Sequence, residues 1–208
     1  MNEGQSTGSS NRLLAEALSC ARGGRILFRN LDFVLEAGQA GLLTGPNGVG
    51  KSSLLRLLAG LLHPMAGSYA GPESIALCDD RLALDEHLPL AQTLRFWAQL
   101  DGKDNADVST AMARAGLDHL ADVPVRYFST GQRQRARLAR TYLTGASLWL
   151  LDEPANGLDT DSVGQLGLAL QSHLDSGGLL IAASHIPLPI AFDFTLDLQP
   201  LEELEACL

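Results

Sequence analysis

Short apolar runs of strand length occur in both halves of the chain, on either side of a middle part with helical spacing. The runs that we interpret as strands are residues 13–19, 26–28, 31–35, 40–43, 67–70, 75–78, 148–151, 179–183 and 192–198. Apolar residues recur with the period of a helix over residues 53–59, 89–100, 107–115, 133–143 and 161–173. We therefore predict an α/β fold with a largely parallel sheet, a single domain at residues 11–208 and a helical insertion at about residues 84–145. Residues 1–10 are polar and are expected to form a disordered tail.

A glycine-rich loop follows the strand at residues 40–43. Its pattern is G-x-x-x-x-G-K-S, and its residues are Gly45, Pro46, Asn47, Gly48, Val49, Gly50, Lys51 and Ser52. Glycines allow positive φ angles, so successive N–H groups can point into one concavity, and the following helix adds its positive N-terminal dipole. Lys51 can bind the β- and γ-phosphates, the Ser52 hydroxyl can ligate Mg²⁺, and we add the adjacent Ser53 to the nucleotide contacts. A glycine-rich turn before an ordinary helix is the alternative, but the strand–loop–helix context favours a triphosphate site.

Two carboxylates end the apolar strand at residues 148–151. Asp152 lies at the tip of the strand, and Glu153 follows it. In a phosphate-loop enzyme an acid on the strand beside the loop strand holds Mg²⁺, so we expect these two strands to be neighbours and Asp152 to be the metal ligand. Glu153 is placed to orient and polarise an attacking water. Alone, the pair would also fit a solvated acidic turn.

A third stretch precedes the helix at residues 133–143. It consists of Ser129, Thr130, Gly131 and Gln132. Ser129 or Thr130 can cap the helix, and the helix N-terminus would then form a second anion site. An ordinary capped helix would have much the same sequence, so this stretch gains meaning only together with the other motifs.

The order of the motifs resembles that of ABC-type ATPases. The matching elements are the loop at residues 45–52, residues 129–132, Asp152-Glu153-Pro154, Leu158-Asp159 and His185. The resemblance covers nearly the whole chain. It implies a P-loop NTPase core of RecA-like, ABC type, with a small antiparallel β subdomain and the inserted α-helical subdomain, and it implies hydrolysis of ATP with Mg²⁺.

The resemblance also implies a head-to-tail dimer, formed by two copies of the chain or with a second ABC ATPase subunit. Each ATP would lie between one phosphate loop and Ser129, Gly131 and Gln132 of the other subunit. Asp159 would be a loop acid in the dimer interface, and His185 would contact the γ-phosphate and help position water. A lone histidine beside a strand is more often structural, but its place in this series of motifs favours the catalytic role.

Less specific similarities point to the ATP-binding subunits of the haem exporter of cytochrome c maturation, the CcmA family. They lie at residues 92–97, 122–125, 148–154 and 184–188. This resemblance implies CcmB- and CcmC-like integral membrane subunits, which would dock on the face formed by residues 80–94, and a location on the cytoplasmic side of the inner membrane. The open alternatives are another ABC exporter or importer, a soluble regulatory ABC protein, and a nucleotide-binding module that barely hydrolyses ATP.

Two of the three departures from the family pattern concern the signature and the metal site, and the third is an arginine, Arg22, near the place of the aromatic that normally stacks on adenine. Thr130 replaces a signature glycine that packs close to the nucleotide. Asp80 stands where the family has a glutamine that links Mg²⁺ and water to the membrane partner. A carboxylate can still bind metal, so Asp80 joins Ser52 and Asp152 as a candidate metal ligand.

Composition narrows the remaining function classes. The chain has 208 residues and a net charge of −9, which argues against non-specific nucleic-acid binding as its main task. No run approaches the roughly 18 apolar residues that a membrane helix needs, and the first residues lack a secretory-signal pattern. Three scattered cysteines without metal spacing fit a reduced cytosol. We interpret the arginines of the fourth helix as a solvated face; they are Arg133, Arg135, Arg137 and Arg140.

Overall fold

The computed structural model of the protein describes residues 11–81 and 83–201, and the tail predicted at residues 1–10 lies outside them. The elements are β1 (Arg12–Arg22), β2 (Arg25–Glu36), β3 (Ala40–Thr44), α1 (Lys51–Leu58), β4 (Ala66–Ala70), β5 (Ile75–Cys78), α2 (Leu90–Leu100), α3 (Asn105–Arg114), α4 (Thr130–Thr144), β6 (Leu148–Asp152), α5 (Thr160–Asp175), β7 (Leu179–Ala183) and β8 (Phe194–Asp197). Two short 3₁₀ turns, Asp118–Leu120 and Val125–Tyr127, lie between α3 and α4. Strands and helices alternate, which confirms the predicted α/β class.

Five strands form a parallel sheet with the order β5-β6-β7-β3-β8. The prediction that β6 lies directly beside β3 is therefore wrong, because β7 is inserted between them. The three central strands are apolar along almost their whole length, as expected for strands that are covered on both faces. Since all five strands run in the same direction, their carboxyl ends meet at one edge of the sheet, where ligands bind in such folds.

A smaller antiparallel sheet has the order β2-β1-β4. The two runs predicted at residues 26–28 and 31–35 form one continuous strand, β2. Asn30 has a positive φ of 52° at the point where the runs were separated, and its N–H donates to the Ser19 hydroxyl at 3.0 Å. The pairing of β1 with β2 shifts register here, so the gap in the hydrophobic pattern marks an irregularity within a strand.

Three apolar cores hold the layers together. The first lies between the two sheets around α1, whose four leucines are fully buried. The second lies on the opposite face of the parallel sheet beneath α5. The third belongs to α2, α3 and α4, and centres on Leu90, Leu94, Leu117 and Val125. The helices between β5 and β6 thus have a core of their own. Within the described ranges, no helix combines the length and apolar composition needed to cross a bilayer.

Candidate functional site

The loop between β3 and α1 wraps around the start of the helix. Gly45 and Gly50 both have φ of 123°, a region that side chains with a Cβ rarely adopt. A Cβ at Gly45 would also overlap the Leu198 carbonyl at the end of the neighbouring strand. Gly50 is the N-cap residue, and α1 begins at Lys51. Val49 and Ser53 are buried beneath the loop. The conformation leaves the first N–H groups of α1 at the carboxyl edge of the sheet, which suits an anion.

Lys51 is almost completely buried and reaches back across the loop. Its ammonium donates to the Gly45 carbonyl at 2.6 Å and to the Pro46 carbonyl at 3.1 Å. His185 Nε2 lies 3.1 Å from the same nitrogen, and Asn47 Oδ1 lies 3.0 Å from His185 Nε2. No carboxylate among residues 11–81 and 83–201 forms an ion pair with Lys51. The positive charge is therefore available to an anionic ligand.

Glu153 is held in a strained position at the end of β6. Its φ is 49°, an uncommon value for a residue with a long side chain, and such strain is often found at functional sites. Its N–H donates to the Ala183 carbonyl of β7 at 2.8 Å, so the backbone is fixed by the sheet. Oε2 accepts from the His185 N–H at 3.2 Å, and Oε1 lies 3.5 Å from His185 Nε2. Glu153 and His185 are thus brought together beside Lys51.

Asp152 ends β6 one residue earlier. Burial raises the pKa of its carboxyl group, the Ser52 hydroxyl opposes that shift, and the nearby Glu153 carboxylate adds to it. Asp152 comes close to Ser52 because α1 packs over β6, even though β7 separates β6 from β3. Carboxylate and hydroxyl oxygens are suitable ligands for Mg²⁺, which usually takes only one or two protein ligands besides phosphates and water. The residues present fit such a site.

Asp80 lies elsewhere. Its carboxylate pairs with Arg56 of α1 at 2.9 Å and is 83% exposed. The preceding Asp79 binds Arg56 more closely, since its Oδ2 accepts from both Nε at 3.1 Å and a terminal nitrogen at 2.9 Å. Among the acids of the part described, no cluster of three or more could hold a metal ion. Asp79, and not Asp80, is the one of the two whose charge raises the pKa of Asp152. A metal role for Asp80 stays a prediction.

Ser129 and Gln132 form a capping box at the start of α4. The Ser129 hydroxyl accepts from the Gln132 N–H at 3.2 Å, and the Ser129 N–H donates to Gln132 Oε1 at 2.8 Å. A Cβ at Gly131 would lie only 2.6 Å from the Gly157 carbonyl, so this helix start packs against the loop that leads to Asp159. Asp159 caps α5 by accepting from the Ser162 N–H at 2.8 Å, and this bond lowers the pKa of Asp159.

The predicted site residues thus form two groups. One group lies around the phosphate loop and includes Asn47, Lys51, Ser52, Asp152, Glu153 and His185. The other group comprises residues 129–132 and Asp159. In the part of the chain that the structure describes, no side-chain hydrogen bond or ion pair joins the second group to residues 45–52. These two groups are the ones that we expected from the sequence on opposite walls of a nucleotide site, and that assignment stays a prediction.

Sequence reasoning missed three residues near the site. Arg56 and Asp79 form a nearly buried ion pair beside Asp152. Gln134 is buried, and its amide donates to the Pro154 carbonyl at 3.0 Å, directly after Glu153. The signal for the ion pair was an arginine four residues after Ser52 and an acid directly after an apolar strand. Gln134 had no comparable signal, because glutamine in a helix is most often exposed.

Comparisons with known proteins agree with the geometry. The family model of ABC transporters matches residues 28–156. The cytochrome c biogenesis ATP-binding export protein CcmA of Zymomonas mobilis is 51% identical over 188 residues, which cover 90% of this chain and 85% of that protein. CcmA of Novosphingobium aromaticivorans is 52% identical over 178 residues, with 86% and 91% covered. A solved Pyrococcus furiosus protein assigned to the ABC transporter ATP-binding proteins superposes with a TM-score of 0.78 at 22% identity, over 90% of this chain and 97% of that one.

Proposed function

Because this chain belongs to the ABC transporter family of ATP-hydrolysing proteins, we propose that it is the ATPase subunit of the haem exporter that serves cytochrome c biogenesis. The relatives that match most of its length at 51% and 52% identity are named CcmA, cytochrome c biogenesis ATP-binding export proteins. Haem as the cargo is part of this proposal and rests on the resemblance to CcmA proteins, since no residue of the chain indicates the cargo.

The observation that supports ATP hydrolysis is the meeting of Lys51, Glu153 and His185 at one edge of the parallel sheet. The triphosphate binds the N–H groups of the loop and the Lys51 ammonium. Ser52 and Asp152 would hold Mg²⁺, which would neutralise charge on the phosphates when bound. The Glu153 carboxylate orients the water that attacks the γ-phosphorus and accepts a proton from it, while the bond from that phosphorus to the β–γ bridging oxygen breaks and ADP leaves. His185 donates to the γ-phosphate, and its backbone N–H keeps the Glu153 carboxylate in place.

Among the described residues, no side-chain hydrogen bond or ion pair joins residues 129–132 or Asp159 to the phosphate loop, which supports a head-to-tail dimer. In this arrangement Ser129, Gly131 and Gln132 of one subunit close the nucleotide site of the other, and Asp159 lies in the interface. ATP binding then draws the subunits together, and hydrolysis releases them. The phosphate loop is catalytically complete only in the dimer.

An apolar cleft on the helical part supports a membrane partner. The cleft has a volume of about 410 Å³, and its lining residues are Ala83, Leu84, Asp85, Leu88, Gln92, Thr93, Phe96 and Trp97. Phe96 is largely exposed there. We assign this cleft to CcmB- and CcmC-like membrane subunits, which would hold the protein on the cytoplasmic side of the inner membrane. The cleft overlaps the docking face expected at residues 80–94.

The test replaces Glu153 by glutamine, which keeps the size of the side chain but removes the carboxylate. We expect turnover to fall by roughly 10² to 10⁴ and a dimer to accumulate in ATP, measured by phosphate release and by size-exclusion chromatography. Glu73→Gln, at an exposed position, is the matched control and should keep wild-type turnover. Wild-type turnover in Glu153→Gln would contradict the catalytic assignment. Normal maturation of c-type cytochromes in a strain lacking the protein would contradict the haem assignment.

A further inference from the structure

A chain of hydrogen bonds runs from the catalytic turn to the backbone of Asp80, and it is buried at its first bond and exposed at its last. It begins at the Pro154 carbonyl, which accepts from Gln134 Nε2 at 3.0 Å. Gln134 Oε1 accepts in turn from an Arg137 terminal nitrogen at 3.0 Å. The other terminal nitrogen of Arg137 donates to the Asp80 carbonyl at 2.9 Å. Asp80 lies three residues before Ala83, which lines the cleft.

The partners fix the direction of each bond. A proline carbonyl can only accept and a guanidinium can only donate, so the Gln134 amide must place its nitrogen toward Pro154 and its oxygen toward Arg137. Gln134 is only 5% exposed, and both ends of its amide are satisfied. A buried amide with two partners of opposite kind has one favourable orientation, and it therefore restrains the turn that it touches.

Glu153 is the residue that needs such a restraint. Its φ of 49° is held by the β7 hydrogen bond on one side, and Pro154 directly follows it on the other side. A shift of the Pro154 carbonyl would move the turn that follows Glu153 and displace the Glu153 carboxylate from the attacking water. Misplacement by about 1 Å can cost roughly a hundredfold in rate.

We propose that Gln134 is a positioning residue for Glu153, and that Arg137 ties it to the backbone of Asp80, three residues before the first residue that lines the cleft. The proposal rests on the proposed ATPase function and names a route by which an occupant of the cleft influences hydrolysis. The route does not require a glutamine side chain at position 80, because Asp80 contributes its backbone carbonyl. Its carboxylate is free to pair with Arg56 of α1.

The main test is Gln134→Glu, measured as steady-state ATPase of the full chain together with its membrane subunits. A carboxylate at position 134 still accepts from Arg137 but cannot donate to Pro154. We expect kcat to fall roughly tenfold to a hundredfold, with KM for ATP within about twofold. As pH falls, protonation of the introduced carboxyl group restores a donor, so the ratio of variant to wild-type kcat should rise. Gln134→Met removes both bonds and should show no such recovery.

Gln99→Glu is the matched control, since Gln99 is exposed on α2 and takes no part in the chain of bonds. The tie to Arg137 is tested in the same assay by a double-mutant cycle with Arg137→Met. We expect the effect of Gln134→Glu on kcat to be smaller in the Arg137→Met background than in the wild type. If the fold-changes of the two single variants multiply to that of the double variant, the proposed coupling between Gln134 and Arg137 is overturned.

The outcomes separate this inference from the proposed function. Loss of turnover in Glu153→Gln together with wild-type kcat in Gln134→Glu at every pH would overturn the inference alone. It would also be overturned if kcat and ATP-induced thermal stabilisation fell together without recovery at low pH, since that result indicates a merely structural role. Unchanged turnover in Glu153→Gln would instead remove the catalytic assignment on which both depend.

Discussion

Two adjacent carboxylates bind the same guanidinium, and we expect them to contribute very differently to stability. Arg56 donates from two nitrogens to Asp79 and from one to Asp80. The side chains of Arg56 and Asp79 are 17% and 11% exposed, whereas that of Asp80 is 83% exposed. The perturbation is replacement of each carboxylate in turn by alanine.

The magnitudes follow from burial. Removing one partner of a buried ion pair costs about 3–5 kcal/mol, because a charge is left without compensation. We expect about 3 kcal/mol for Asp79→Ala, the lower end, since Asp80 can still pair with Arg56. An exposed ion pair contributes at most about 1 kcal/mol, so Asp80→Ala should cost about 0.5 kcal/mol. For a protein of this size 1 kcal/mol corresponds to about 2–4 °C in Tm, so the two losses are about 6–12 °C and 1–2 °C.

The assay is urea unfolding of both variants without nucleotide, followed by circular dichroism, with the Mg²⁺ dependence of ATPase measured in parallel. Equal losses of unfolding free energy would refute the reasoning from burial. The parallel measurement also tests Asp80 as a metal ligand. If Asp80→Ala keeps the Mg²⁺ dependence of the wild type, Asp80 is not a metal ligand and serves the surface ion pair.

Two further predictions concern stability. His173 stacks on Trp149 with ring centroids 3.9 Å apart, and burial lowers the pKa of His173. The unfolded chain therefore binds more protons at this position than the folded chain does. The free energy of unfolding should fall as the pH drops below about 6.5. Urea titrations from pH 8 to pH 5 should show a flatter profile for His173→Phe, and parallel profiles would contradict the assignment. Gly131→Ala should cost about 1–3 kcal/mol, since its Cβ would meet the Gly157 carbonyl at 2.6 Å. The control is Gly164→Ala, because a Cβ at Gly164 of α5 would enter open space, and this variant should be more stable by about 0.5–1 kcal/mol. Equal changes in stability for the two variants in thermal unfolding would refute the close contact between Gly131 and the Gly157 carbonyl.

Local chemistry made the phosphate loop and most helices predictable. The loop from Gly45 to Ser52 contains its own glycines, cation and helix start, so its conformation depends little on distant residues. Apolar periodicity likewise placed β5 and β7 at their observed bounds. The order of strands in the sheet could not be predicted in this way, because it depends on the positions at which the helices connecting the strands pack on the sheet. The sequence shows that Asp152 ends a strand but not that β7 separates this strand from β3.

Polar contacts between residues far apart along the chain also could not be predicted from the sequence. The arginines of α4 were interpreted as a solvated face, and this is wrong for two of them. Arg137 binds Gln134 and Asp80, and Arg140 pairs with Asp101 at 2.9 Å while lying over the Trp97 ring. Asp80 and Asp101 are distant from these arginines along the chain, and they reach them only when α4 packs against β5 and α2. Helical spacing alone does not distinguish a half-buried arginine with fixed partners from a solvated one.

Because Glu153 has a positive φ, backbone stability at this position favours glycine, whereas the proposed reaction needs a carboxylate. Glycine at position 153 would relax the backbone and stabilise the protein by about 1 kcal/mol, but it would remove the carboxylate. A library of variants selected only for heat resistance should therefore become enriched in glycine at this position. The same library selected for ATP hydrolysis should keep glutamate. The residue found at position 153 after laboratory evolution thus distinguishes selection for stability from selection for activity.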